Sequence, residues 1–436
     1  MRISVPISCL LSVLFSVIAL SGTAQSVLPY ARKVLDTLSA PGMHGRGYVA
    51  DGHLKAARYI AGEYQRIGLK SFGNGYFQEF SISVNTFPEE VSLRLGEKAL
   101  QAGQDFLVMP CSRSLSGRYP VMHLSAEAIQ DPQQLLSSLQ EARGKVLLID
   151  KTLFATSSKE EKQRLEEVLA FLRSFKNNPS VASLVLTDDK LSWHVSQQTC
   201  ERPQLVIAKA SAPASFQTLE LKIESKLIRN LNTQNVAGLL PGKKPGSGVL
   251  VFSAHYDHLG RLGKGAYFPG ANDNASGIAM LLSLARHYAL PANRPDQDLL
   301  FLAFGAEEVG LLGSLHYVNN PLVPLQDIRF LINLDITGTG DEGIMVVNGK
   351  IFTEEFAQLQ ALNGEKGFFK QVSSRGEACN SDHCPFYEQG VPSFFIYTLG
   401  GIQAYHDIYD RSETLPLTKF EELHRLLTAF TKTLGR

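Results

Sequence analysis

Residues 249–260 read VLVFSAHYDHLG. Six mostly apolar residues, Val249 to Ala254, stop abruptly at His255, Tyr256 and Asp257. A short apolar run that ends at polar residues has the signature of a buried strand in a parallel sheet. Ligands of such sheets bind beyond the carboxyl ends of the strands, so His255 and Asp257 stand where chemistry is expected. Period-two alternation turns both to one side, which sets Asp257 to hydrogen-bond one imidazole nitrogen while the other faces a metal ion. Alone, H-x-D is a weak signal, because a strand-end histidine is more often satisfied by packing than by a metal.

Downstream, the rhythm continues. A helix at 276–289, a strand at 299–304, a helix near 311–318 and a strand at 330–334 follow. A helix near 353–362, a strand at 393–397 and a final helix at 419–434 complete the series. Strand–helix alternation predicts an α/β fold, a three-layer sandwich with a mostly parallel mixed central sheet flanked by helices. Upstream, residues 27–80 read as helical around a glycine-broken loop, APGMHGRGYV, and Gly68 stops the second helix. His44 and Arg46 in that loop are candidate substrate contacts, weighed against a packing role. Alternating strands occupy residues 78–109.

Residues 117–226 read as a separate inserted domain, smaller and α/β or β-rich. Strands are expected at 145–149, 182–186, 205–208 and 219–223, with a charged helix at 158–175 whose KEEKQRLEE run is a solvated face. No catalytic constellation falls there; Trp193 and His194 read as packing or rim residues. The expected organisation is a leader at 1–24, a first part of the main domain at 25–116, the insertion at 117–226 and the main part at 227–436.

The chain has 436 residues, enough for two or three domains, and its 42 Lys+Arg balance 42 Asp+Glu. That balance gives no argument for a nucleic-acid partner or an anionic membrane surface. Arg2, an apolar stretch at 7–20 and then Ser21, Gly22, Thr23 and Ala24 form a secretory signal pattern with a cut near Ala24. No later run supplies about 20 apolar residues, so a secreted or periplasmic protein without stable membrane insertion is expected. Beyond Cys9 the cysteines are Cys111, Cys200, Cys379 and Cys384. An exported protein permits disulfides; Cys379 with Cys384 and Cys111 with Cys200 are the candidate pairs, with free buried thiols as the alternative.

Acidic and histidine residues recur at the other strand ends and in the loops beyond them. Asp273 lies in GANDNASG, where Ser276 is placed to cap the following helix. Glu307 and Glu308 follow LLFLAF, Asp335 ends FLINLD, and His406 lies in AYHDIYD. With His255, these make two imidazoles and three carboxylates besides Glu307, an N/O donor set suited to zinc. Two zinc ions about 3.5–4 Å apart need a bridging carboxylate, and Asp273 in its own loop is the natural one. Of the adjacent Glu307 and Glu308, one is free to take a proton from the attacking water while the other coordinates. The sequon at Asn274, Ala275 and Ser276 abuts this bridge and is read as a chance match.

From about residue 235 to the end, the chain resembles the co-catalytic di-zinc aminopeptidase family, which includes bacterial leucyl aminopeptidase and glutamate carboxypeptidase. The resemblance rests on NVAGLLPG, AHYDHLG, GANDNASG, AEEVGLLGS, NLDITG, SDHCPF and YHDIYD. It implies two Zn2+ per chain, His255 and Asp335 on one ion, Glu308 and His406 on the other, and Asp273 between them. It also implies Glu307 as general acid/base, with a metal-bridged hydroxide as nucleophile, and Asp257 orienting His255. Residues 27–80 would belong to the catalytic domain, and the insertion is similar to protease-associated domains. Asp407 departs from the family pattern, which has threonine or serine there; Arg411 is one partner for it. Asp382 and His383 in SDHCPF read as support near the site rather than as ligands.

The function implied is an exported zinc metallopeptidase, an aminopeptidase acting on peptide or protein N-termini. A carboxypeptidase would need an arginine clamp, for which Arg261 and Arg375 are candidates outside any recognisable cluster. A single-zinc glutaminyl cyclase, an acyltransferase on the same scaffold, is a second class, and a receptor-like relative without metals a third. The complete ligand set favours the peptidase. Oligomeric state is not legible.

Overall fold

A computed structural model describes residues 26–73 and 75–434; the predicted leader at 1–24 lies outside the described residues. The main sheet has eight strands: β1 (Phe77–Thr86), β2 (Lys226–Leu240), β3 (Val249–His255), β4 (Asp298–Phe304), β5 (Ile328–Leu334), β6 (Gly343–Val347), β7 (Val372–Ser374) and β8 (Ser393–Leu399). Their spatial order is β1-β2-β4-β3-β5-β8-β6-β7. The central run β4-β3-β5-β8 is parallel, as is β6 with β7, whereas β1 with β2, β2 with β4 and β6 with β8 pair antiparallel.

Alternation along β3 and β4 explains the layering. Leu250 and Phe252 of β3, with Leu299 and Phe301 of β4, face a core built with the helices Leu28–Leu38, Gly52–Ile67, Ser276–Ala289 and Phe420–Leu434. Val249 and Val251, with Leu300, Leu302 and Phe304, face the opposite way. There they pack against Tyr317 and Phe386 from the helices Leu312–Asn319 and His383–Glu388. Strands buried on both faces must be apolar at every position, and β3 is buried along its whole length. The helix Ser276–Ala289 is likewise buried on nearly every side, lying between the sheet and the outer helices. The predicted three-layer sandwich is the observed one.

The second sheet also has eight strands. Their order is Lys98–Leu100, Val91–Leu95, Thr218–Ile223, Leu115–His123, Val146–Asp150, Ala182–Thr187, Gln204–Ala208 and Phe106–Val108. The helix Lys159–Ser174 covers it and opens with a capping box between Ser158 and Glu161. Strands from Val91 onward pair in this sheet, Val91 opposite Ile223; the expected start at 117 falls inside it. Alternation signals a strand but not its partner, so sequence alone does not tell these early strands from those of the main domain. The long strand β2 and the short strands β6 and β7 at one end of the main sheet carry no clear signal in the sequence either. Among the described residues, no helix is long and apolar enough to cross a membrane.

Candidate metal centre

The carboxyl ends of β3, β4, β5 and β8 converge on one cavity of about 430 Å3. His255, the last residue of β3, is almost fully buried, and its Nε2 lies 3.4 Å from Asp273 Oδ1 and 3.4 Å from Asp335 Oδ1. The other oxygen of Asp273 faces a second group: His406 Nε2 lies 3.1 Å from Asp273 Oδ2 and 3.4 Å from Glu308 Oε2. All five residues predicted as ligands are thus together, with Asp273 offering one oxygen to each side. Asp335 Oδ1 is buried without a hydrogen-bond partner. An orphaned carboxylate oxygen facing an imidazole nitrogen, within a set of imidazoles and carboxylates, fits zinc.

His258 was not singled out from sequence. Its Nδ1 lies 2.7 Å from Glu308 Oε1 and 3.9 Å from Asp273 Oδ2. It holds one oxygen of Glu308 and leaves the other toward His406. Its letter stands in AHYDHLG, but past the end of β3 the period of two no longer says where a ring points.

The loop carrying Asp273 is fixed from several sides. Asp410 accepts the N–H groups of Asn272 at 2.8 Å and Asp273 at 2.9 Å. Arg46 is completely buried and donates to the carbonyls of Tyr256, Leu38, Pro269, Gly270 and Asp273 at 2.7–3.1 Å. It binds main chain, not substrate. Ser276 does not cap its helix; it donates to Asn272 O at 2.7 Å and accepts from Thr337 N at 2.8 Å, tying this loop to the one after Asp335. Asn274 of the sequon is fully buried, its amide on Leu334 O.

Asp335 is held by Ser381, which accepts from Asn333, itself bonded to Ser253. Asp382 accepts from Ser314 at 2.5 Å, and His383 packs its ring by Phe395; neither belongs to the two acid–histidine groups close enough to share a metal, His255 with Asp273 and Asp335, and His258 with Asp273 and Glu308.

Asp257 acts differently from expectation. Its carboxylate is 4.0 Å from His255 Nδ1, whereas its carbonyl is at 3.2 Å. The carboxylate instead accepts the N–H groups of Glu307 at 3.0 Å and Glu308 at 3.3 Å, and the hydroxyl of Tyr48 at 3.1 Å. It shapes the turn that presents both glutamates.

Residues 235–431 match the model of Peptidase family M28. Aminopeptidase YwaD of Bacillus subtilis is 30% identical over 307 residues, which is 66% of this chain and 62% of that protein. Leupeptin-inactivating enzyme 1 of Streptomyces exfoliatus is 33% identical over 153 residues, 35% of this chain and 33% of that one. The chain therefore spans under two thirds of the length of these relatives. In structure it is similar to BSAP, a zinc aminopeptidase from Bacillus subtilis, with TM-score 0.67 and 21% identity over 93% of this chain and 94% of that one. A peptidase M28 precursor from Shewanella amazonensis gives TM-score 0.67 at 13% identity, over 94% and 96%. These structural likenesses establish a shared fold across both sheets.

Within this stretch the electrostatics separate the carboxyls. Burial pushes Glu307 well above the usual carboxylate range, helped by Asp382, Glu308 and Asp335 and opposed by His255. Asp273 is as buried, yet hydrogen bonds from His255 and His406 and the charge of His258 hold it well below that range. His406 is pushed up to about 9: burial works against this, and Glu308 and Asp273 overcome it.

The cavity walls are Leu311, Ile336, Phe395, Tyr397 and Tyr405, with Cys379 and His194 at the edge. Trp193 is buried and stacks on Phe268 at 4.7 Å. Cys111 is bridged to Cys200 and Cys379 to Cys384. Asp407 pairs with Lys190 at 2.8 Å, while Arg411 turns to Ile408 O. Neither Arg261 nor Arg375 lines the cavity.

Proposed function

We propose that the chain is an exported di-zinc aminopeptidase that removes residues from peptide or protein N-termini. The observation that carries this reading is the floor of the cavity: two imidazole–carboxylate groups share Asp273, with Glu307 beside them. Among the described residues lining the cavity there is no arginine or lysine. An acidic site suits a substrate's free α-amine and offers no partner for a terminal carboxylate, which favours an aminopeptidase over a carboxypeptidase.

His255 and Asp335 would hold one zinc, Glu308 and His406 the other, and Asp273 would span them. Bound zinc would polarise the scissile carbonyl and acidify the attacking water. Glu307 accepts that water's proton and returns it to the leaving amine. The apolar walls take the N-terminal side chain, and Glu307 and Glu308 face its amine. Two disulfides favour an oxidising compartment, in keeping with the leader-like sequence at 1–24.

The test is zinc content of protein purified without chelator, paired with hydrolysis of a free-amine and an N-blocked aminoacyl anilide. About two zinc ions per chain are expected, with cleavage of the free-amine substrate alone. One zinc with cyclisation of N-terminal glutamine would overturn the reading in favour of the acyltransferase.

A further inference from the structure

The two halves of the metal centre are supported unequally. His255 ends a central strand, and its Nδ1 faces the carbonyl of Asp257, two residues along the same chain segment. His406 sits in the loop after β8, with a left-handed backbone at φ 54° and no regular element around it. Its support comes from the stretch between the strands Ala182–Thr187 and Gln204–Ala208 of the second sheet.

Three residues make that support. The N–H of Trp193 donates to the carbonyl of His406 at 2.9 Å. The Nζ of Lys190 reaches the carbonyls of Gln403 at 2.7 Å and Tyr405 at 2.8 Å as well as the Asp407 carboxylate. His194 Nδ1 lies 3.3 Å from His406 Nδ1. Beneath them, Trp193 is anchored by its stack on Phe268 and by its Nε1–H on Val108 O at 2.8 Å.

A histidine that gives one nitrogen's lone pair to a metal carries its proton on the other, and that proton needs an acceptor to fix the ring. Among the described residues, the hydrogen-bond partner of His406 Nδ1 is His194 Nδ1. We infer that the second-sheet segment completes the metal centre: His194 is a positioning residue that accepts the Nδ1 proton of His406 and so aims Nε2 at the metal, while Lys190 pins the same loop through Asp407. This rests on the di-zinc reading above and assigns the segment a part in it. It also accounts for the acid at 407, where the resembling family has a hydroxyl. Here a cation from the second sheet faces that position.

The asymmetry gives the test. Zinc retained per chain is measured by elemental analysis as dipicolinate is raised, in the wild type, His194→Phe and Lys190→Met. His194 and Lys190 are both exposed, so their replacement spares the core. One zinc of the pair should leave His194→Phe at about 10–100-fold lower chelator, with the other following the wild-type curve. Lys190→Met should shift the same zinc in the same direction by less. Retention of both ions as in the wild type, or equal weakening of both, would overturn the inference. A wild type that holds no pair of zinc ions would overturn the di-zinc reading and this inference with it, so the two failures are distinguishable.

Discussion

Glu307→Gln should lower kcat by about 10²–10⁴-fold while zinc content stays at the wild-type value and KM changes little. Glutamine fills the same space but cannot take a proton. The contacts that hold the turn, Asp257 to the N–H groups of residues 307 and 308, are made by main chain and survive the change. A second readout follows from burial. The folded Glu307 carboxyl titrates well above its unfolded value, so its ionisation costs stability as pH rises past the unfolded value, before any metal binds. The metal-free variant should accordingly melt no lower than the metal-free wild type at neutral pH. Retention of more than about a tenth of wild-type kcat would place the proton transfer elsewhere.

Arg46→Met should destabilise the protein by about 3–5 kcal/mol, read as a drop in the urea midpoint at unchanged slope. The side chain is fully buried and its five hydrogen bonds end on carbonyls that no water reaches once methionine fills the space. Burial pulls the guanidinium down to about 10, with Asp273 and Asp410 opposing, so it is still charged at neutral pH. Two of its carbonyls, Gly270 and Asp273, belong to the loop that presents the shared carboxylate, so zinc retention should fall together with stability. A loss below about 1 kcal/mol would mean those carbonyls had found other partners.

The parts of the site set by local rules were legible in the sequence. His255 and Asp335 end or follow apolar runs of a parallel sheet, and Glu307 and Glu308 follow another; strand polarity alone gathers them at one edge. Asp273 stood out because its loop is rich in glycine and asparagine and precedes a helix. The rest arrives by long-range packing, which periodicity does not encode. His194 meets His406 across 212 positions, and Arg46 reaches the Tyr256 carbonyl across 210. Tyr48 and Ser381 reach Asp257 and Asp335 in the same way. His258 lay inside a recognised motif and was still passed over, since its ring direction depends on a turn and not on a strand. The boundary near Val91 was missed because β1 runs straight into the first strands of the second sheet with no glycine- or proline-rich linker.

Thr86 pairs with Lys226 at the far end of β1 and β2, so everything between them leaves and re-enters the main sheet at adjoining positions. Such an arrangement would ordinarily let the intervening part come and go as a detachable appendage, melting on its own. Here one apolar cluster runs across the junction: Leu259, Leu262, Phe268 and Ile408 are buried together with Phe106, Leu184, Trp193 and Leu221. Heating should therefore release both sheets in a single calorimetric transition, and any shortened descendant of this chain must repack those residues before it can dispense with the second sheet.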